Sequence, residues 1–67
     1  MTSEAFNRWL AEMESAGLIR RDKEAAALLG VSQNTIVTMK REGVRGAAAE
    51  RTALACRALL ARLDPYA

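Results

Sequence analysis

Phe6, Trp9, Leu10 and Met13 recur at three- and four-residue spacing, the period of one buried helix face. Ser3 is placed to cap that helix, with Glu4 in the first turn where a carboxylate meets the positive helix end, and Gly17 ends it. Leu18 and Ile19 follow as consecutive apolar residues in the connection, expected to tuck into the core. A second helix is predicted from Arg21 or Asp22 to Leu29, Asp22 being its N-cap or an early partner of the dipole. Its inner face is Ala25 or Ala26, Leu28 and Leu29. Gly30 then breaks the pattern, Val31 supplies one apolar plug, and Ser32 caps a third helix that turns Ile36 and Met39 inward. Gln33, Asn34, Thr35, Val37, Thr38, Lys40 and Arg41 remain for its other faces, and Gly43 ends it. After a short loop over 42–46, an alanine-rich helix is expected from about Ala47 to Leu63. Its stripe is Leu54 or Ala55, Cys56, Leu59, Leu60 and Leu63, and Pro65 stops it.

These elements make an all-α domain, a small bundle of four or five helices spanning residues 1–67, with no internal repeat and no linker. Composition agrees: much of the apolar half of the chain is alanine, and Phe6, Trp9 and Tyr66 are its only aromatic residues. A chain of 67 residues buries a modest share of its surface, so self-association is expected from size alone. The stripe of Cys56, Leu59, Leu60 and Leu63 serves the monomer core and a two-fold interface alike, with Leu63 and Tyr66 near the seam. Phe6 and Trp9 share the stripe of Met13 and read as core, while Arg8, Glu12 and Glu14 read as a solvated face.

Several classes are set aside at this stage. No apolar run approaches the roughly 20 residues that cross a bilayer, and the start of the chain lacks the layout of a signal peptide, which predicts a soluble, cytoplasmic protein. Histidine is absent and Cys56 is the single cysteine, so no internal disulfide, common zinc-ligand set or imidazole catalysis is available, and Cys56 reads as a small buried thiol. No nucleophile–base pair or phosphate loop appears either, so an enzyme is not expected, and no cofactor or small-molecule ligand is implied.

Charge changes the picture once it is divided along the chain. Through Ile19 one arginine faces three glutamates, whereas from Arg20 onward nine Arg and Lys face five acidic residues. The basic part is suited to a polyanion. Within it, the stretch over 22–43 has a demanding spacing. Ala26 lies four before Gly30, Val31 follows it, and Ile36 and Met39 come six and nine after it. Two helices crossing closely at a small residue, joined by a glycine turn and anchored by two apolar residues, form a helix-turn-helix.

At these residues, above all "AALLGVSQNTI", the chain resembles the phage-repressor and Cro-like (XRE) family of helix-turn-helix regulators. The resemblance is close over Asp22 to Gly43 and looser on either side. It implies that Ser32 to Glu42 is a recognition helix in the major groove of double-stranded DNA, with base contacts from its N-terminal part. Carried over residue by residue, Gln33 and Asn34 reach base edges and Thr38, one turn on from Asn34, is a further candidate. Amides pair with adenine N6 and N7, and threonine offers a hydroxyl and a methyl. Phosphate contacts are expected from Arg20, Arg21, Lys23, Ser32, Thr35, Lys40, Arg41 and Arg45, although Lys40 and Arg41 are also explained as cations at a helix C-terminus. Two residues depart from the family pattern: Asp22 stands where a phosphate-binding glutamine is common, and Met39 where tryptophan or an aliphatic anchor is usual.

The expected function is sequence-specific transcriptional control, as a repressor acting as a homodimer on a near-palindromic operator, in the nucleoid of a bacterium or from a phage or mobile element. Two alternatives remain: an excisionase-like architectural DNA-binding factor, against which the alanine-rich run after Gly46 argues because it leaves no β-wing, and a protein-interaction module such as an antitoxin or adaptor.

Overall fold

A computed structural model describes residues 1–64, and all of its regular structure there is helical. Four helices follow one another: α1 (Ser3–Ser15), α2 (Asp22–Leu29), α3 (Gln33–Glu42) and α4 (Ala47–Leu60). Of the four or five helices expected, four occur among the described residues. None of the helices is long and apolar enough to cross a membrane. The expected roles of Pro65 and Tyr66 fall outside the described residues.

α3 packs on both α1 and α2, and α4 closes the bundle against the same two helices. The core is one cluster in which Phe6, Met13 and Ile36 are the largest fully buried side chains, joined by Trp9, Leu10, Ile19, Ala25, Ala26, Met39 and Cys56. Alanine at positions 25 and 26 is what lets α2 approach its neighbours so closely. Phe6 and Trp9 stack with centroids 5.5 Å apart and planes tilted by 37°, and the indole Nε1 donates to the Cys56 carbonyl at 2.8 Å. That bond satisfies the one polar atom of a buried indole and ties α1 to α4.

The helix ends show where local chemistry decided and where it was misread. Thr2, not Ser3, caps α1: its Oγ1 accepts from the Ala5 amide at 3.1 Å, while Ser3 Oγ turns to Glu4. Arg21 is the N-cap residue of α2, so Asp22 takes the other expected place, in the first turn beside the helix dipole, and the Glu24 carboxylate accepts from the Arg20 and Arg21 amides at 2.8 and 3.1 Å. At the other end of α2, Gly30 adopts φ 72°, the Gly30 amide donates to Ala27 and the Val31 amide to Ala26. This double closure needs a left-handed residue and turns the chain within three residues. Arg62 at φ 59° ends α4 with the same pair of bonds, from Arg62 to Leu59 and Leu63 to Ala58. α4 therefore stops at Leu60, three residues short of the expected Leu63.

The expected inner faces are corrected at Leu28 and Leu63, and of the pair Leu54 or Ala55 it is Ala55 that turns inward. Leu28 is exposed at 47%, and Leu54 and Leu63 at 64% each, so the core of α2 rests on Ala25, Ala26 and Leu29, and that of α4 on Cys56, Leu59 and Leu60. Packing geometry, not hydropathy, sorts these: a 3.6-residue period leaves Leu28 and Leu54 beyond the width of stripe that a helix in a small bundle can bury.

Burial pushes the Cys56 thiol from an ordinary 9.0 up to about 11. Two outcomes follow. At neutral pH a thiol-specific reagent should label Cys56 only as fast as the domain unfolds, because the reactive thiolate is absent and the sulfur is covered. Because the folded thiol keeps its proton in the window where the unfolded thiol loses it, this stabilisation is complete below about pH 9 and is lost as pH rises towards 11. Urea titrations of wild type and Cys56→Ala across that window should show an alkaline loss on the order of 2 kcal/mol that only the wild type suffers.

Candidate nucleic-acid interface

α3 is presented by its own buried side. Ile36 and Met39 anchor it, and the opposite face, Asn34, Val37, Thr38 and Arg41 at i, i+3, i+4 and i+7, is exposed. Gln33 stands beside Val37, one turn before it. Among the described residues neither the Gln33 nor the Asn34 amide has a side-chain hydrogen-bond partner. Thr38 Oγ1 donates back to the Asn34 carbonyl at 3.2 Å, which fixes its rotamer and leaves its methyl and an oxygen lone pair outward. The three residues expected to read bases therefore share one solvent-facing surface.

Val37 is the residue that sequence reasoning passed over. It is a half-exposed aliphatic side chain at 49%, set among polar neighbours on that surface, where the core has no use for it. The signal was present in the pattern: Val37 follows the buried Ile36 directly and so cannot lie on the same helix face.

The residues expected to hold phosphate divide into three groups. Arg20, Arg21 and Lys23 lie exposed at the start of α2, and Arg45 in the loop after α3. None of these four makes an ion pair among the described residues. Ser32 and Thr35 occupy each other: Ser32 Oγ accepts from the Thr35 amide at 3.1 Å and lies 2.9 Å from Thr35 Oγ1, so their first task is to cap α3. Lys40 is not a free cation, since its Nζ lies 2.9 Å from Asp22 Oδ2 and joins the end of α3 to the start of α2. The departure at Asp22 thus has a structural role as the partner of Lys40. Arg41 meets Glu42 only loosely, at 3.7 Å, and stays exposed.

A groove of about 460 Å³ separates α3 from α4. Leu29, Val31, Met39, Val44 and Ala55 form its apolar lining, and Arg45 and Arg51 stand at it from the loop and from α4. Arg51 was not foreseen, because only the fold carries the second turn of α4 to the same groove as Arg45. The loop itself is stitched to the start of the chain. The Met1 nitrogen donates to the Val44 carbonyl at 2.9 Å, the Val44 amide returns a bond to the Met1 carbonyl at 2.8 Å, and Asn7 Nδ2 donates to the Ser3 and Lys40 carbonyls at 2.8 Å each. Arg45 thereby projects from a constrained strap rather than a loose loop.

Compared with protein-family models, with curated proteins and with solved structures, the chain finds no match.

Proposed function

We propose that the chain is a sequence-reading, double-stranded DNA-binding protein that regulates transcription as a homodimer, with α3 as the recognition helix in the major groove. One observation carries the reading: a short helix, buried on one side, offers unpartnered amides at Gln33 and Asn34 on a face flanked by the exposed cations Arg41 and Arg45 and approached by the basic start of α2. Amides on such a face suit base edges, and cations at its margins suit the two phosphate strands. Occupancy of a promoter, hence repression at the nucleoid, is the simplest action of such a face. The excisionase-like alternative is weakened because α4 begins directly after Gly46, where a β-wing would have to lie.

The test is fluorescence anisotropy on a duplex selected from a random library, beside a scrambled duplex, at two salt concentrations. Gln33→Ala and Asn34→Ala should each cost about 1–3 kcal/mol on the selected duplex and almost nothing on the scrambled one. Arg45→Ala should weaken both and lower the salt slope by about one unit. Lys40→Ala should change that slope little, since its charge is already spent on Asp22. Val37→Ala should lose affinity only where a thymine methyl faces it, so replacing that thymine by uracil should reproduce the loss. Equal, salt-insensitive binding to both duplexes would sink the reading and favour a protein-interaction module.

A further inference from the structure

We propose that the outward face of α4 is a docking surface for a second copy of this chain, in an antiparallel two-fold arrangement centred on Leu54. The proposal rests on the homodimer reading above and names the surface that reading lacked. Of the expected seam, Cys56 is buried and Leu59 and Leu60 pack against the core, whereas Leu63 is exposed beyond the end of α4 and Tyr66 lies outside the described residues. Leu54 is a different case. It is 64% exposed near the middle of a 14-residue helix, on the side away from Cys56.

The charges beside Leu54 select the occupant. Glu50 lies four residues before it and Arg57 three after, and a separation of seven puts both on one flank of the leucine, about 20° apart around the helix. Among the described residues neither has an ion-pair partner within the chain. A spacing of seven residues is about 10 Å along the axis, too far for the two to meet each other. An antiparallel two-fold pair brings like flanks together and reverses the direction along them. With the axis at Leu54, Glu50 lies about 6 Å to one side and Arg57 of the second copy about 4.5 Å to the same side, so the two come level to within about 1.5 Å. The symmetry repeats the pair at the other end, giving two reciprocal ion pairs around a leucine–leucine contact. A parallel two-fold pair would bring unlike flanks together, leaving Arg57 opposite Ala58 of the second copy and Glu50 level only with Arg51. Glu50 and Arg57 are therefore both matched in the antiparallel orientation only. Arg51 lies on the opposite flank, turned to the groove, and does not enter the pairing.

The contact is small, so association should be weak and concentration-dependent, suited to a dimer completed on DNA. Sedimentation equilibrium of the DNA-free protein, with a thermal melt of every variant to confirm folding, tests it. The expected result is a monomer–dimer equilibrium that Leu54→Glu abolishes, that Leu54→Ala weakens, and that Glu50→Arg or Arg57→Glu alone weakens about tenfold. Combining Glu50→Arg with Arg57→Glu should restore it, because the reciprocal pairs re-form with their signs exchanged. Failure of the double variant to recover overturns the antiparallel arrangement. A dimer that all these variants leave intact overturns the surface while sparing the homodimer reading. A wild type that stays monomeric at every concentration overturns the surface, and the stoichiometry of the complex on the selected duplex decides the homodimer reading separately.

Discussion

Gly43→Ala should be the most damaging small substitution in the domain, lowering stability by about 3 kcal/mol or more and the melting temperature by roughly 15 °C. Gly43 closes α3 at φ 75°, ψ −162°, a backbone region that is essentially closed to residues with a side chain. A Cβ there would also come within 2.5 Å of the Met1 carbonyl oxygen, 2.8 Å of the Ser3 nitrogen and 2.9 Å of the Thr2 carbonyl carbon. All three are backbone atoms, so no rotamer change relieves the collision. Relief requires moving the start of the chain off the loop, which breaks the two Met1–Val44 bonds and releases the strap that carries Arg45. Gly46 is the internal control. It has nearly the same backbone conformation, φ 69° and ψ −153°, but nothing lies within 4 Å of its added Cβ. Gly46→Ala should therefore pay only the conformational cost, about 1–3 kcal/mol, and the gap between the two variants in thermal melts measures the collision alone. Equal losses at the two positions would show that the chain start is not held against Gly43.

Ile36→Ala should leave a large part of the protein unfolded at 25 °C. Ile36 is fully buried in the helix that both α1 and α2 pack against, and truncating such a side chain costs about 2–5 kcal/mol through lost burial and the cavity left behind. A 67-residue domain holds only roughly 3–10 kcal/mol in total, so the loss is of the same order as the whole. Urea denaturation would read it as a midpoint shifted far towards zero. Val37→Ala, one residue on, is the matched comparison. Its side chain is half exposed, so stability should change by no more than about 0.5 kcal/mol, with DNA affinity carrying whatever effect there is. Adjacent residues on one helix would thus separate folding from recognition.

The pairing of Ile36 with Met39 and the break at Gly30 were legible in the sequence because each obeys a local rule: helical period for the first, left-handed closure for the second. The four helices and the exposed amides at Gln33 and Asn34 follow from the same rules. Other features were not legible. The Lys40–Asp22 pair is one, since Asp22 lies 18 residues away and no local pattern joins them. Leu63 reads as core, and Leu54 stays open against Ala55, because the alanine-rich helix has more apolar residues than one face can bury. Its end at Arg62 could not be foreseen, because a non-glycine residue in the left-handed conformation carries no mark in sequence.

By itself the sequence determined the helices, the tight turn between the second and third, the residues Ile36 and Met39 that anchor the third, and the polar character of the face it shows to solvent. These depend on neighbours within a few residues, where backbone preference and periodicity act directly. Only the tertiary structure decided which cations stay free, that Asp22 neutralises Lys40, that Gly43 must be glycine because the chain start lies against it, and that Leu54 faces outward between Glu50 and Arg57. Each of these depends on residues distant in sequence being brought into contact, or held apart, by the way four short helices share one small core.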